Sequence, residues 1–196
     1  IKSVVVRQPS LRWPVSPELS QVITGNRVTG ISRRAKYLLF STNTGRMMVH
    51  LGMSGSLRIT NGSTALKKHD HIDIVFDDGT VLRYHDPRRF GSVFWIPEGS
   101  SHELIDSLGP EPLSDEFNGN YLYELSRRRK LAIKLFIMNS KVVVGVGNIY
   151  ANEALHAAGI RPDRLAGRVS RDRYATLSQE IKDVLTSAIS SGGTTL

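Results

Sequence analysis

The chain has 196 residues, 40% of them hydrophobic, and carries 26 Lys and Arg against 18 Asp and Glu for a net charge of +8. That length supports one large domain or two small ones, and the basic surplus points to a polyanionic partner, nucleic acid before an acidic membrane surface, unless the charge serves solubility alone. The absence of cysteine excludes disulfides and a cysteine zinc site within these residues, and apolar runs such as Val142-Val143-Val144 are too short to span a bilayer.

The chain opens in Ile1-Lys2-Ser3-Val4-Val5-Val6, a strand already under way, with no starting Met and no secretory signal. It stops at Gly192-Gly193-Thr194-Thr195-Leu196, just after a helix stop. Both ends read as cut, so the sequence is expected to be the ordered middle of a longer cytoplasmic protein. Residues 1–108 read as β. Tyr37–Ser41 and Arg46–His50 flank Asn43-Thr44-Gly45, and Ile72–Phe76 and Val81–Tyr84 flank Asp77-Asp78-Gly79, two hairpin signatures. Gly91–Ile96 adds a strand. Many short strands suggest an antiparallel sandwich or barrel. Residues 98–124 are acidic, free of Lys and Arg, and contain Gly109-Pro110-Glu111-Pro112. They read as a linker that runs into a helix start near Ser114-Asp115-Glu116, giving boundaries of 1–108, 109–120 and 121–196. Beyond it helices are expected over 130–138, over 148–158 up to Gly159 and Pro162, and from an N-cap at Ser170 to Gly192-Gly193. Tyr174, Leu177, Ile181, Leu185 and Ile189 keep helical spacing in the last of these.

Several segments carry chemistry. Lys36, in Arg33-Arg34-Ala35-Lys36-Tyr37, meets either solvent or phosphate. In His50-Leu51-Gly52-Met53-Ser54-Gly55, Met53 is either core filler or an apolar wedge for the duplex. His69-Asp70-His71 lacks a third nearby metal ligand, so a phosphate contact by His69 is the better reading. In Asp86-Pro87-Arg88-Arg89-Phe90-Gly91, Pro87 stiffens the entry and Gly91 frees the exit. Phe90 can push between base steps and the arginines can donate to a base edge or phosphate, although a plain turn with Phe90 packed inward fits equally. Arg127-Arg128-Arg129-Lys130, Lys134 and Lys141 precede Gly145-Val146-Gly147-Asn148, a turn opening a helix. Glycines and exposed amides at a helix start favour an anion, so phosphate binding is preferred here to a solvated helix face. The Gly-Lys-Ser/Thr ending of a nucleotide P-loop is missing.

Taken together and in order, Arg33–Leu39, His50–Arg58, Lys68–His71, Asp86–Gly91, Leu108-Gly109-Pro110-Glu111-Pro112-Leu113 and Val144–Ala151 resemble formamidopyrimidine-DNA glycosylases, bacterial base-excision repair enzymes that remove oxidised purines. The resemblance spans nearly the whole chain. It implies an α+β protein: an N-terminal antiparallel β-sandwich, a helix-two-turn-helix DNA-binding domain and a C-terminal finger with one structural zinc. It also implies a monomeric, nucleoid-associated enzyme whose partner is duplex DNA with an oxidised base. The damaged nucleotide is flipped out. Met53, Arg88 and Phe90 then fill the void, with Arg88 on the orphaned cytosine and Phe90 wedging the stack. Lys36, His69, Arg89, Arg129, Lys134 and Asn148 hold phosphates, Lys36 also standing close to the chemistry, and Glu153 orders the helical domain. The nucleophile of the family is an N-terminal proline amine assisted by an adjacent glutamate; it forms a Schiff base and drives β,δ-elimination. Neither residue, nor the zinc cysteines, nor the finger arginine that assists elimination, is among these 196. Pro17-Glu18-Leu19 imitates the opening motif, but its nitrogen is locked in a peptide. A metal is not expected in this segment. Two other readings stand beside this one: a damaged-DNA-binding fragment without catalysis, and endonuclease VIII-like action on oxidised pyrimidines.

Overall fold

Short apolar runs punctuated by turn residues become strands throughout the first hundred positions. In the computed structural model, which describes residues 1–193, these are β1 (Ser3–Val6), β2 (Gly30–Arg34), β3 (Tyr37–Ser41), β4 (Gly45–His50), β5 (Ser56–Asn61), β6 (Asp70–Val75), β7 (Thr80–His85) and β8 (Ser92–Pro97). They pair antiparallel in two four-stranded sheets, ordered β1-β6-β7-β5 and β2-β3-β4-β8. Both expected hairpins are present, with Leu39 opposite Met48 and Ile74 opposite Leu82. Val4, Ile72, Ile74 and Tyr84 from one sheet meet Phe40, Met47, Val49 and Val93 from the other, which makes the unit a sandwich. A short helix, α1 (Leu19–Ile23), closes this core with two fully buried side chains, Leu19 and Ile23.

β2 and β5 have no counterpart in the sequence reading. Both are edge strands, and their faces are largely wet: Ile31 is 66% exposed and Ile59 80%. β2 has one large apolar side chain and no alternation, while β5 alternates only over Leu57 and Ile59, of which Leu57 alone packs against the core.

The β1-β6-β7-β5 sheet carries a charge ladder on the face turned from the core. Arg83 grips Asp73 with Nε to Oδ1 at 2.8 Å and its second amine to Oδ2 at 2.9 Å. Arg7 reaches the same carboxylate at 2.7 Å, and Asp70 takes Arg58 at 2.6 Å and His85 at 2.8 Å. Burial pushes both carboxyls up, but their hydrogen bonds and the flanking guanidinium groups outweigh it and hold them below the usual range. Lowered folded values contribute stability that is fully present above the unfolded value of about 4 and lost as pH falls through the folded ones. Thermal melts should therefore show the transition temperature dropping steeply below about pH 4. Asp73→Asn should cost about 1–3 kcal/mol at neutral pH, because it removes the charge that Arg83 and Arg7 grip while Asp70 stays 3.6 Å from Arg83, and should leave a shallower acid dependence. An unchanged acid limb in Asp73→Asn would refute the ladder's role.

The chain divides into two compact units, Ile1–Glu103 and a second that begins at Leu104. The acidic segment holds α2 (Glu103–Asp106) and the start of α3 (Gly119–Ser126). The helix start expected near 114–116 moves to Asn118, whose side chain accepts from the Tyr121 amide at 3.0 Å, a regular N-cap. The helix expected over 130–138 shortens to α4 (Ile133–Ile137). The residues before it are held otherwise: Ala132 bridges Leu165, and the Ile133 amide donates to Arg164. α5 (Asn148–Ala157) and α6 (Arg171–Ser190) appear as expected, the latter capped by Ser170, and a 3-10 turn covers Ala166–Arg168. Phe117, Leu122, Phe136, Ala151, Leu155, Tyr174, Leu177 and Ile181 form this unit's own core. Thr194-Thr195-Leu196 lie outside the described residues.

Candidate nucleic-acid interface

Two loops of the sandwich unit meet side by side. The first, 51–55, links β4 to β5; the second, 86–91, links β7 to β8. In the second, the Arg89 amide donates to the Asp86 carbonyl at 3.2 Å, closing a turn with Pro87 at the position its fixed φ suits. Arg89 follows with φ +54, a left-handed conformation that a non-glycine side chain adopts at a cost of about 1–2 kcal/mol. Asp86 is wholly buried beneath this turn and accepts from Ser54 Oγ at 2.7 Å, Tyr84 Oη at 3.0 Å and the Gly91 amide at 2.9 Å. Glycine is required where the loops touch: a Cβ on Gly52 would lie 2.6 Å from the Phe90 carbonyl carbon.

The consequence is that apolar side chains are displayed rather than buried. Met53 is 75% exposed and Phe90 42%. Neither is core filler, and the inward-packed reading of Phe90 is excluded. Arg88 lies over the Phe90 ring, its guanidinium carbon 4.5 Å from the centroid. A methionine, an aromatic ring and a guanidinium thus project from one braced platform. Such a group can enter a base stack.

Lys36 is exposed at the tip of the β2–β3 hairpin, after Ala35 with φ +53. Burial, then Lys36, then Arg12 lower the pKa of His50, whose Nδ1 accepts from the Gly52 amide at 2.9 Å. The His50 ring is therefore neutral near pH 7, and its other nitrogen is left as the donor. The Arg12 amide in turn donates to the Gly91 carbonyl at 3.1 Å. Arg12 and His50 thus join Lys36 beside the two loops, a grouping that sequence reasoning missed because their partners are remote in sequence. His69 stands apart from Lys36's neighbours in the chain; it is half-buried, its ring edge-on to His71 and His85 at 6.2 and 6.0 Å. Its backbone carbonyl accepts from the Asp86 amide at 3.1 Å. Asp70 is committed to arginines and His85, and His71 Nε2 donates to the Asp86 carbonyl at 2.8 Å. Among the described residues no group of three or more His, Asp or Glu is arranged to hold a metal ion.

In the second unit the basic run divides. Arg127 stacks on Tyr123, 3.8 Å from the ring centroid, and donates to the Tyr123 and Val169 carbonyls at 3.0 Å, so it braces the fold. Arg129 and Lys130 are exposed, and Lys134 on α4 is half-buried. Gly145, with φ +82, leads into α5, whose cap is Gly147 with no side-chain cap. The intrahelical ladder begins with the Ala151 amide on the Gly147 carbonyl, so the amides of the first turn precede it, beside exposed Asn148. Such a helix start presents donors and positive potential to an anion. Glu153 sits on the exposed side of α5, lining a cleft with Asp183 and Ser187 of α6.

The sandwich that displays Met53, Arg88 and Phe90 and the helical unit with its glycine-led helix both match domains of DNA glycosylases. Residues 1–93 match the Formamidopyrimidine-DNA glycosylase N-terminal domain, and residues 108–196 the Formamidopyrimidine-DNA glycosylase H2TH domain. The formamidopyrimidine-DNA glycosylase of Stenotrophomonas maltophilia is 53% identical over 196 residues, covering 100% of this chain and 73% of that protein. That of Syntrophotalea carbinolica is 57% identical over 198 residues, with coverage of 100% and 73%. Lactococcus lactis formamido-pyrimidine DNA glycosylase, solved non-covalently bound to DNA containing an AP site, superposes with a TM-score of 0.90 at 31% identity, over 99% of this chain and 75% of that one. MutM in complex with DNA containing carbocyclic 8-oxo-G superposes at 0.91 with 31% identity, over 100% and 74%. The chain belongs to the formamidopyrimidine-DNA glycosylase family. No helix among the described residues is long and apolar enough to cross a membrane.

Proposed function

We propose that this chain forms the DNA-binding core of a monomeric base-excision repair glycosylase that flips oxidised purines, 8-oxoguanine and formamidopyrimidines, out of duplex DNA and excises them. The observation that carries the reading is the exposed Met53, Arg88 and Phe90 on two loops held by one buried carboxylate. Trp13 is comparably exposed, at 44%, but only Met53 and Phe90 stand on adjoining loops tied together through Asp86. Exposure on a braced platform suits insertion into the void left by a flipped nucleotide. Arg88 would donate to the orphaned cytosine, and Phe90 would hold the stack open. Lys36, His69 and Arg89 would hold phosphates from the sandwich unit; Arg129, Lys134 and Asn148 would do so from the helical one.

Bond breaking is assigned to an N-terminal proline outside these residues. Its secondary amine would attack C1′, the base would leave with a proton from the adjacent glutamate, and the resulting Schiff base would permit β- and then δ-elimination of the flanking phosphates. Lys36 would stand near this chemistry. Pro17 cannot substitute, because its nitrogen is an amide and Leu19 beside it is buried. The structural zinc that the resemblance implies finds no cysteine to hold it within these residues.

The test is strand nicking by protein expressed from the full reading frame. An 8-oxoguanine:cytosine duplex should be cut far faster than one carrying thymine glycol; the opposite order overturns the purine assignment. Arg88→Ala should reduce the preference for cytosine opposite the lesion by about tenfold, since a good base contact is worth about 1–3 kcal/mol. Unchanged discrimination would remove Arg88 from that role. Arg129→Ala should weaken binding to all duplexes alike and flatten the slope of log affinity against log salt by about 0.9. An unaltered slope would mean that Arg129 touches no phosphate.

A further inference from the structure

What the platform displays does not explain how it is held. A loop carboxylate ordinarily faces water, yet Asp86 has 0% of its surface exposed and accepts three hydrogen bonds from three separate elements. Tyr84 comes from β7, Gly91 from the far end of the finger formed by loop 86–91, and Ser54 from the neighbouring loop. Ser54 Oγ gives its hydrogen to Asp86 and accepts from the Arg88 amide at 3.2 Å. One hydroxyl therefore links the residue next to Met53 with the finger that carries Arg88 and Phe90. The Asp86 carbonyl is occupied as well, by the Arg89 amide and His71 Nε2. Burial raises the pKa of this carboxyl, but the bonds from Ser54, Gly91, Tyr84 and the Arg88 backbone outweigh it and keep it ionised.

We infer that Ser54 and Asp86 are positioning residues that clasp the two loops into one rigid probe, so that Met53 and the Arg88–Phe90 pair enter the base stack as a single event. The inference rests on the wedge reading above. Two separate loops would each lose conformational entropy when ordered against the duplex, whereas a clasped pair is ordered before it arrives. A hydrogen bond to a charged acceptor at a buried position is strong enough to set that coupling.

The experiment uses protein from the full reading frame and a duplex with an uncleavable tetrahydrofuran abasic analogue. 2-Aminopurine is placed beside the analogue in one strand or, separately, beside its partner in the other. Stopped-flow fluorescence should rise at one common rate at both probe positions in the wild type. In Ser54→Ala the two rates should separate by roughly tenfold, with circular dichroism and cooperative melting retained. Asp86→Asn should bring them back within about threefold, because an amide of the same shape can donate to Ser54 and accept from Gly91 and Tyr84. A common, wild-type rate in Ser54→Ala overturns the clasp, as does a wild type whose two rates already differ. No fluorescence rise in a wild type that binds the duplex would instead sink the wedge reading itself, so the two failures are distinguishable.

Discussion

Gly91→Ala is expected to reduce excision of 8-oxoguanine by about 100-fold or more while leaving the protein folded. A Cβ at this position would collide with the Tyr84 hydroxyl and the His50 carbonyl and would lie 3.2 Å from Asp86 Oδ2. Tyr84 and His50 belong to β7 and β4, and Tyr84 is fully buried, so neither can yield far. The finger must move instead. A displacement of about 1 Å in a positioning element is enough to cost about 100-fold in rate, whereas overpacking of one methyl costs the fold only about 1–3 kcal/mol. Single-turnover nicking beside a thermal melt separates the two effects. Gly62→Ala, where a Cβ meets nothing within 4 Å, is the control and should be silent. Wild-type nicking by Gly91→Ala would mean that the finger's placement does not matter.

Phe90→Ala is expected to lower the excision rate by about 100-fold with stability unchanged. The ring is 42% exposed and its cation–π partner is the equally displayed Arg88, so its removal opens no core cavity. On the proposed reading, what is lost is the wedge. Unstacking a base step costs a few kcal/mol, and about 1.4 kcal/mol of unmet cost is a tenfold slower step. Affinity for undamaged duplex should stay within about threefold at low salt, because phosphate contacts supply it. Equal losses in nonspecific affinity and in excision would make Phe90 a general contact and not a probe.

These predictions concern features that the sequence reveals unequally. The β3–β4 and β6–β7 hairpins and α6 are legible because strong apolar periodicity coincides with turn or cap residues: Asn43-Thr44-Gly45, Asp77-Asp78-Gly79 and Ser170. β2 is not, since its one large apolar side chain, Ile31, stays in water, and β5 is not, since its alternation stops at Leu57 and Ile59 and the second of these is exposed. The helix start moved from 114–116 to Asn118 because several residues in the acidic segment are acceptable caps, and only tertiary packing selects one. In the candidate interface, Asp86–Gly91 is visible as a turn, but its grip on Ser54 is a contact between residues 32 apart. Local chemistry does not encode such a contact. Likewise, Arg127 and Arg129 look alike in one basic run. Only the Tyr123 ring, stacked on the first, separates a structural arginine from an exposed one.

The central claim, that this chain positions an oxidised purine nucleotide for attack by a proline amine, is tested most directly by borohydride trapping. Protein from the full reading frame would be mixed with a duplex carrying 8-oxoguanine opposite cytosine and reduced during turnover. The account predicts a covalent protein–DNA adduct that survives denaturing electrophoresis, formed by the wild type and strongly diminished in Gly91→Ala. Folded protein that binds the same duplex yet yields no adduct would contradict it.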